Sequence, residues 1–300
     1  MPEVPHLAAA LGRYPHTVAI LDGRLRSPEV VLDFIEVEPI HKAFAPMVRR
    51  QAWEMSELAI VTALQALAFG KPIVLLPAVV ASRKQRGCII ALSSRGEVDP
   101  RSLVGRRVGV RAYTQTTGMW VRAALREDYG LPVEEIRWVT QDPSHVEEYR
   151  DPAWVTHETT GKSLPDQLRD GEIEAAILGN DLPKGEEFAP VIRHHRAVDD
   201  AWVAGHGFMP VNHVVAVSRE AIERKPEAVR AAYGLLRRAA AEAQRPAGME
   251  DPTRFGVSAM RAPLRFIIGE CRRQGLVEGP LDADAILAPA EALLRDAVTA

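Results

Sequence analysis

Over the first 217 residues, short apolar runs rich in Val, Ile, Leu and Ala alternate with stretches of helical period. Runs of four to eight apolar residues bounded by turn signals read as buried strands, and apolar residues at i, i+3 and i+4 read as helices. On that basis residues 16–21 (HTVAIL) predict a first strand, closed by Asp22-Gly23, and 30–37 a second. Residues 40–50 predict a helix, with Ala43, Phe44, Met47 and Val48 at helical spacing. Ser56 and Glu57 read as a polar turn opening an apolar helix that Gly70-Lys71-Pro72 stops. A buried strand over 73–76 then enters a loop carrying Arg83, Lys84 and Arg86, and 87–92 predicts another strand. A short helix starts at Asp99-Pro100, and a strand follows over 107–110. A Thr-rich loop leads into a helix from about Thr116–Gly118 to Tyr129, stopped by Gly130. Further strands are predicted at 135–140, 171–178 and 210–217, a short helix at 163–170, and mixed strand and loop at 186–198. Beyond residue 217 the pattern is helical, over 220–244, 262–274 and 282–297.

Such alternation predicts an α/β protein with parallel sheets covered by helices on both sides. The expected division is lobe 1 at 1–109 plus 216–300 and lobe 2 at 110–215, with crossings near 110–111 and 211–214. The 300 residues are 47% hydrophobic, enough for one large domain or two modest lobes. A net charge of −3 without a basic tail excludes a global field for nucleic acid. No apolar run reaches a membrane span, and the N-terminal stretch lacks the basic start of a secretory signal, so the chain reads as cytoplasmic. Cys88 and Cys271 form no metal motif or disulfide framework and read as reduced structural thiols, with a mutual disulfide the alternative. His157, His194, His195 and His206 lack ligand spacing, so no metal is expected. There is no glycine-rich phosphate loop and no nucleophile elbow. The apolar faces of the C-terminal helices leave core packing and a homo-oligomer both open.

The candidate chemistry lies at element ends, where open α/β proteins place ligands. Arg83 and Arg86 suit a carboxylate, because guanidinium is a planar two-pronged donor. The helix start near Thr116 offers free backbone N–H groups to an anion, or is a plain N-cap. Glu57 either complements a helix dipole or accepts a ligand hydroxyl proton. His213, in the strand over 210–217, is either a satisfied core histidine or a proton donor.

The runs YPHTVAILDG, EMSELAIVTALQALAFG, LLPAVVASRKQRG, LVGRRVGVRAYTQTTGMWVRAALREDYGL and FMPVNHVVAV, in that order, resemble the 4,5-dihydroxyphthalate decarboxylase family over about residues 12–220. The resemblance implies a cytoplasmic, periplasmic-binding-protein-like (type II) fold, with two α/β lobes, two crossing strands and a ligand cleft between them. It also implies cofactor-independent loss of CO2 from a hydroxylated aromatic carboxylate or dicarboxylate. Carried over by position, the catalytic candidates are His213, Glu57 and Tyr113, and the substrate-binding candidates are Ser56, Arg83, Arg86, Gln115 and Thr116. Glu57 or Tyr113 would take the phenol proton, His213 would deliver a proton to the ring, and Arg83 with Arg86 would hold the carboxylate. One position departs from the family pattern: relatives often carry histidine directly after the second basic-loop arginine, and this chain has Gly87. That departure favours the alternative of a non-catalytic solute-binding or sensor protein. A lyase resembling dihydroxynaphthoate synthase is a third reading.

Overall fold

The computed structural model describes residues 3–179 and 181–295. In chain order the elements are β1 (His6–Ala10), α1 (Val18–Leu21), β2 (Val31–Phe34), α2 (Phe44–Arg50), β3 (Met55–Ala59), α3 (Ile60–Ala68), β4 (Ile73–Ser82), β5 (Ile89–Leu92) and β6 (Arg107–Val110). There follow α4 (Thr116–Tyr129), β7 (Arg137–Thr140), β8 (Val155–His157), α5 (Leu164–Arg169), β9 (Ala175–Ile177), β10 (Phe188–Pro190) and α6 (His195–His206). The chain ends with β11 (Val211–Ser218), α7 (Arg219–Arg224), α8 (Pro226–Glu242), β12 (Arg254–Phe255), α9 (Val257–Arg273) and α10 (Ala283–Arg295). Ala297, the expected end of the last helix, lies outside the described residues.

The chain divides into two compact units. Unit 1 takes the chain up to Ser82, Val211–Ile268 and the part from Gly279 on; unit 2 takes Arg83–Pro210 and Gly269–Glu278. The first division thus falls at 82/83 rather than 109/110. The reason is strand pairing: β5 bonds to β9 and β10, so the segment after Ser82 already builds the second sheet.

In unit 1 the strand order is β12-β4-β11-β3-β1-β2. β1 runs parallel to β2 and β3, whereas β11 is antiparallel to both β3 and β4. In unit 2 the order is β10-β5-β9-β6-β7-β8, parallel from β9 to β8 and antiparallel at β5 and β10. Both sheets are therefore mixed, not parallel as expected. The reversed strands are β11 and β12 in unit 1 and β5 in unit 2.

Most predicted elements form, with instructive exceptions. The first strand is HLAAA at His6–Ala10, not 16–21. Its small residues fit because it lies between β2 and β3 with Leu7, Ala9 and Ala10 buried. In the expected strand, Thr17 Oγ1 accepts from the Tyr14 N–H at 2.8 Å and donates to the Gly12 carbonyl at 2.6 Å, which folds the loop and starts the short α1. The segment over 186–198 contains β10 and the start of α6, a helix the polar, His-rich sequence did not announce. α4 runs as predicted and is stopped by Gly130 at φ 69, whose N–H bonds to the Arg126 carbonyl. In unit 1, Leu76, Val80, Val215 and Val217 pack with Val229, Leu236 and Leu293 of α8 and α10, so those helices spend their apolar faces on the core. Full burial of each such side chain contributes about 1.5–3 kcal/mol.

Candidate active site

Ser56 and Glu57 lie inside β3, a strand buried at every position, not in a turn. Successive strand residues face opposite sides, so the two side chains part company. The Ser56 hydroxyl donates to the Glu57 carbonyl at 2.9 Å and is spent on backbone. Glu57 is fully buried and carries three hydrogen bonds. Its Oε1 accepts from Tyr14 Oη at 2.6 Å and from His213 Nδ1 at 2.6 Å; its Oε2 accepts from the Gly12 N–H at 2.8 Å.

Antiparallel register explains the pairing with His213. Glu57 stands opposite Val215 and Ala59 opposite His213, so Glu57 and His213 are diagonal neighbours on one face. The register of β11 on β4 shifts on both sides of His213, and such irregularities re-aim a side chain. Phe44 meets the His213 ring edge-on at 5.2 Å. The imidazole side chain keeps 21% exposure while its partner carboxylate has none.

Burial by itself would raise the Glu57 pKa. The hydrogen bonds and charge of His213, then Tyr14 and the Gly12 N–H, outweigh it and hold the group below the ordinary carboxylate value. A carboxylate only accepts, so Nδ1 of His213 carries the proton and Nε2 is left to exchange one. Tyr14 is pushed well above the ordinary phenol value, by burial first and then by the adjacent Glu57 charge, so its hydroxyl stays a donor. With both oxygens taken, Glu57 is not the open base expected for a ligand hydroxyl; it orients His213 and fixes its tautomer. His16 stacks on Tyr14 at 5.2 Å, and its Nε2 donates to the Val80 carbonyl at 2.8 Å. Its buried Nδ1 has no hydrogen-bond partner among the described residues.

In unit 2, Arg83 donates to the Gly179 carbonyl at 3.1 Å and to Thr117 Oγ1 at 2.9 Å. Both contacts lead to the start of α4. Gln115 is its N-cap by backbone conformation, with no side-chain cap bond, and among the described residues its buried Oε1 is unpartnered. A side chain at Gly179 would meet Gln115 Nε2 at 3.2 Å and Asp181 Oδ1 at 3.3 Å. Arg83, Gln115, Thr116 and Thr117 thus cluster at the first turn of α4, the helix end that suits an anion.

Two expected residues leave the site. Arg86 is buried and closed: Nε and Nη2 bond Asp128 at 2.7 and 3.0 Å, and Nη1 bonds Asp199 at 3.0 Å. Burial works against its charge, but the two aspartates outweigh that and raise its pKa. It ties the loop to α4 and α6 and has no fork left for a ligand. Tyr113 is also buried, with its hydroxyl donating to the Gln274 carbonyl at 2.9 Å and accepting from Trp154 Nε1 at 2.9 Å. Burial raises its pKa, so it is a fixed structural hydroxyl and no base. Gly87 has a packing reason. A Cβ there would sit 2.8 Å from the His195 ring, so the missing side chain is what lets His195 lie against the loop.

Sequence reasoning missed Tyr14, Gly12, His16 and Thr117. His16 stood in a segment read as strand with Tyr14 just before it, and Thr117 was hidden behind Thr116 as the helix start. Among the described residues no group of three or more His, Cys, Asp or Glu is placed to hold a metal, and no helix is long and apolar enough to cross a membrane. Cys88 and Cys271 are free and buried.

No family model matches the chain. By sequence it is 24% identical over 234 residues to a 4,5-dihydroxyphthalate decarboxylase of Comamonas testosteroni, covering 73% of this chain and 70% of that protein. It is 26% identical over 180 residues to one of Pseudomonas putida, covering 57% and 69%. Among solved structures it is similar to the desulfurization enzyme DSZB, with a TM-score of 0.59 at 14% identity over 98% of this chain and 99% of that one. It is equally similar to the ligand-binding component of an ABC-type import system from Staphylococcus aureus, at 0.59, 11%, 98% and 99%. The alkanesulfonate-binding protein SsuA from Xanthomonas axonopodis pv. citri aligns at 0.51, 14%, 99% and 94%. The chain therefore resembles 4,5-dihydroxyphthalate decarboxylases in sequence and has a periplasmic-binding-protein-like α/β fold. Enzyme and binding proteins share that fold, so the fold alone does not choose between them.

Proposed function

We propose that this protein decarboxylates a hydroxylated aromatic carboxylate of the 4,5-dihydroxyphthalate type, using its own side chains and no cofactor. The observation that carries the reading is the buried Glu57 carboxylate bonded at 2.6 Å to His213 Nδ1, on an imidazole that stays partly exposed. A buried acid that orients a histidine and fixes its tautomer is the arrangement a general acid–base needs. The names of the two decarboxylase relatives supply the reaction class.

The chemistry is compact. A ring hydroxyl ortho or para to the leaving carboxylate pushes electrons into the ring as it loses its proton. The Nε2–H of a His213 imidazolium protonates the ipso carbon. The carbon–carboxylate bond then breaks, CO2 leaves, and its electron pair restores aromaticity. The phenol proton, taken up directly or through solvent, returns the imidazole to its starting state. Tyr14 and the Gly12 N–H keep Glu57 ionised throughout, so each cycle leaves the dyad unchanged. Within unit 2, Arg83 and the start of α4 form a cluster suited to a carboxylate.

The test is CO2 release with mass-spectrometric product analysis, using metal-free protein and a panel of hydroxylated benzoates and phthalates. Release with the matching decarboxylated product supports the reading. Thermal stabilisation by a panel compound without release sinks it, in favour of a solute-binding or sensor role. That second reading has support in the Arg83 and α4 cluster, which binds an anion without needing any chemistry.

A further inference from the structure

Arg122 lies in the middle of α4 and is fully buried, yet among the described residues it has no carboxylate partner. Its Nε donates to Gln274 Oε1 at 2.8 Å and its Nη2 to the Tyr113 carbonyl at 2.7 Å, both neutral acceptors. Its remaining support is aromatic, from the Tyr113 ring at 4.0 Å and the Trp138 ring at 5.3 Å. Nη1 is buried with no hydrogen bond among the described residues. The nearby acid Glu270 does not neutralise it. Glu270 meets Arg122 only through Gln274, and it is already paired with Arg126 at 2.7 Å and Arg273 at 2.6 Å. Asp151 feels the charge, but it lies on the surface and forms no ion pair with it.

An uncompensated guanidinium is an expensive thing to bury. Its direction gives it a use. Helical side chains lean toward the N-terminus, and here Nη1 reaches back one turn: a Cβ at Gly118 would lie 3.0 Å from it. Gly118 is in the first turn of α4, between the Thr117 that Arg83 bonds and the Met119 whose N–H closes on the Gln115 carbonyl. The free positive charge therefore sits behind the same helix start that Arg83 approaches through Thr117.

We propose that Arg122 is a specificity-determining residue for the α4 site: a fixed buried cation that never touches the ligand and whose missing counter-charge is the ligand's carboxylate. The site then selects by charge, favouring dicarboxylates over monocarboxylates and both over neutral analogues. This rests on the reading that Arg83 and the start of α4 bind a carboxylate.

The experiment is calorimetric titration of the full chain with phthalate, benzoate and benzamide, for wild type, Arg122→Met and Arg122→Lys, with melting temperatures recorded. Wild type should bind phthalate more tightly than benzoate. Arg122→Met should weaken phthalate binding by roughly tenfold or more and narrow the phthalate-to-benzoate ratio, with a melting temperature equal to or above wild type. Arg122→Lys, which keeps the charge and loses the fork, should stay within about threefold of wild type. Unchanged phthalate affinity in Arg122→Met overturns the inference, as does a tenfold loss in a folded Arg122→Lys. If Arg122→Met does not fold, Arg122→Lys alone decides, by the same threshold. Absence of carboxylate binding in the wild type is a different result, and it removes the reading of the α4 site itself.

Discussion

Two buried charge clusters, one in each unit, are built from similar parts and end in opposite states. In unit 2, Arg86 meets Asp128 and Asp199 and every arm of the fork is used. In unit 1, Glu57 meets His213, Tyr14 and the Gly12 N–H, and both oxygens of the acid are used, but the histidine keeps one nitrogen open. Burial and strong pairing are common to both and do not separate chemistry from scaffolding. The unused Nε2 does. The sequence marked both, Arg86 as a carboxylate holder in a basic loop and Glu57 as either a helix-start acid or the base for a ligand hydroxyl. The contacts separate them.

The sharpest break of the comparison comes from the open nitrogen. His213→Ala should abolish turnover, a loss on the order of 10²–10⁴-fold, while ligand affinity stays within tenfold. Glu57→Gln should lower turnover with His213 present, because an amide donates as well as accepts and no longer enforces the Nδ1–H tautomer. Steady-state kinetics beside calorimetric affinities measure both. Equal loss of binding and turnover in His213→Ala would make the unit 1 cluster scaffolding too, and the contrast with Arg86 would vanish.

Arg86 and Arg83 make the complementary pair, three residues apart in one loop. Arg86→Met leaves two aspartates without their cation, one of them, Asp199, almost fully buried. Loss of one partner from such a cluster costs about 3–5 kcal/mol, visible in denaturant midpoints. Arg83→Met removes two hydrogen bonds to neutral acceptors, about 0.5–1.5 kcal/mol each. Its larger effect should be on the ligand: a charged hydrogen bond of about 1.5–3 kcal/mol is roughly 10- to 100-fold in affinity. An Arg83 variant with unchanged carboxylate affinity, or an Arg86 variant with unchanged stability, would undo the assignment of the two roles.

The sequence made local matters plain and left the long-range ones dark. Buried strands such as β11, and α4 with its Gly130 stop, were readable because periodicity and turn chemistry act within a few residues. Glu57 and His213 were each marked, but their bond spans 156 residues and depends on the register of β3 with β11. Arg86 finds Asp199 across 113 residues, and Tyr113 finds the Gln274 carbonyl across 161. No local pattern announces which distant acid or carbonyl will consume a polar group. β1 was missed because its Ala9 and Ala10 carry little strand propensity, and only its place between two strands selects them. The basic loop misled for the same reason: three cations in four residues suggested an anion, while two of the three, Lys84 and Arg86, are paired with aspartates of α6.

Gly87 gives the smallest effect and bears on how that loop is built. Its lack of a side chain suggested lost chemistry, whereas the structure offers a packing reason: the His195 ring lies 2.8 Å from where a Cβ would stand. Gly87→Ala should then destabilise by about 1–3 kcal/mol, the usual cost of overpacking, held to the low end because His195 is only half-buried and can swing out. His195→Ala should cost less and should relieve the clash, so Gly87→Ala made on top of it should be nearly silent. The double-mutant cycle isolates this effect, since a contacting pair shows coupling of about 0.5–3 kcal/mol and an unconnected pair adds. Additive losses would mean that Gly87 is not there to seat His195, and the loop would again need a functional reason for its glycine. Coupled losses with turnover retained in Gly87→Ala would place the whole Arg86–Gly87–His195 region with the scaffold, leaving Arg83 as the member of the loop that meets the ligand.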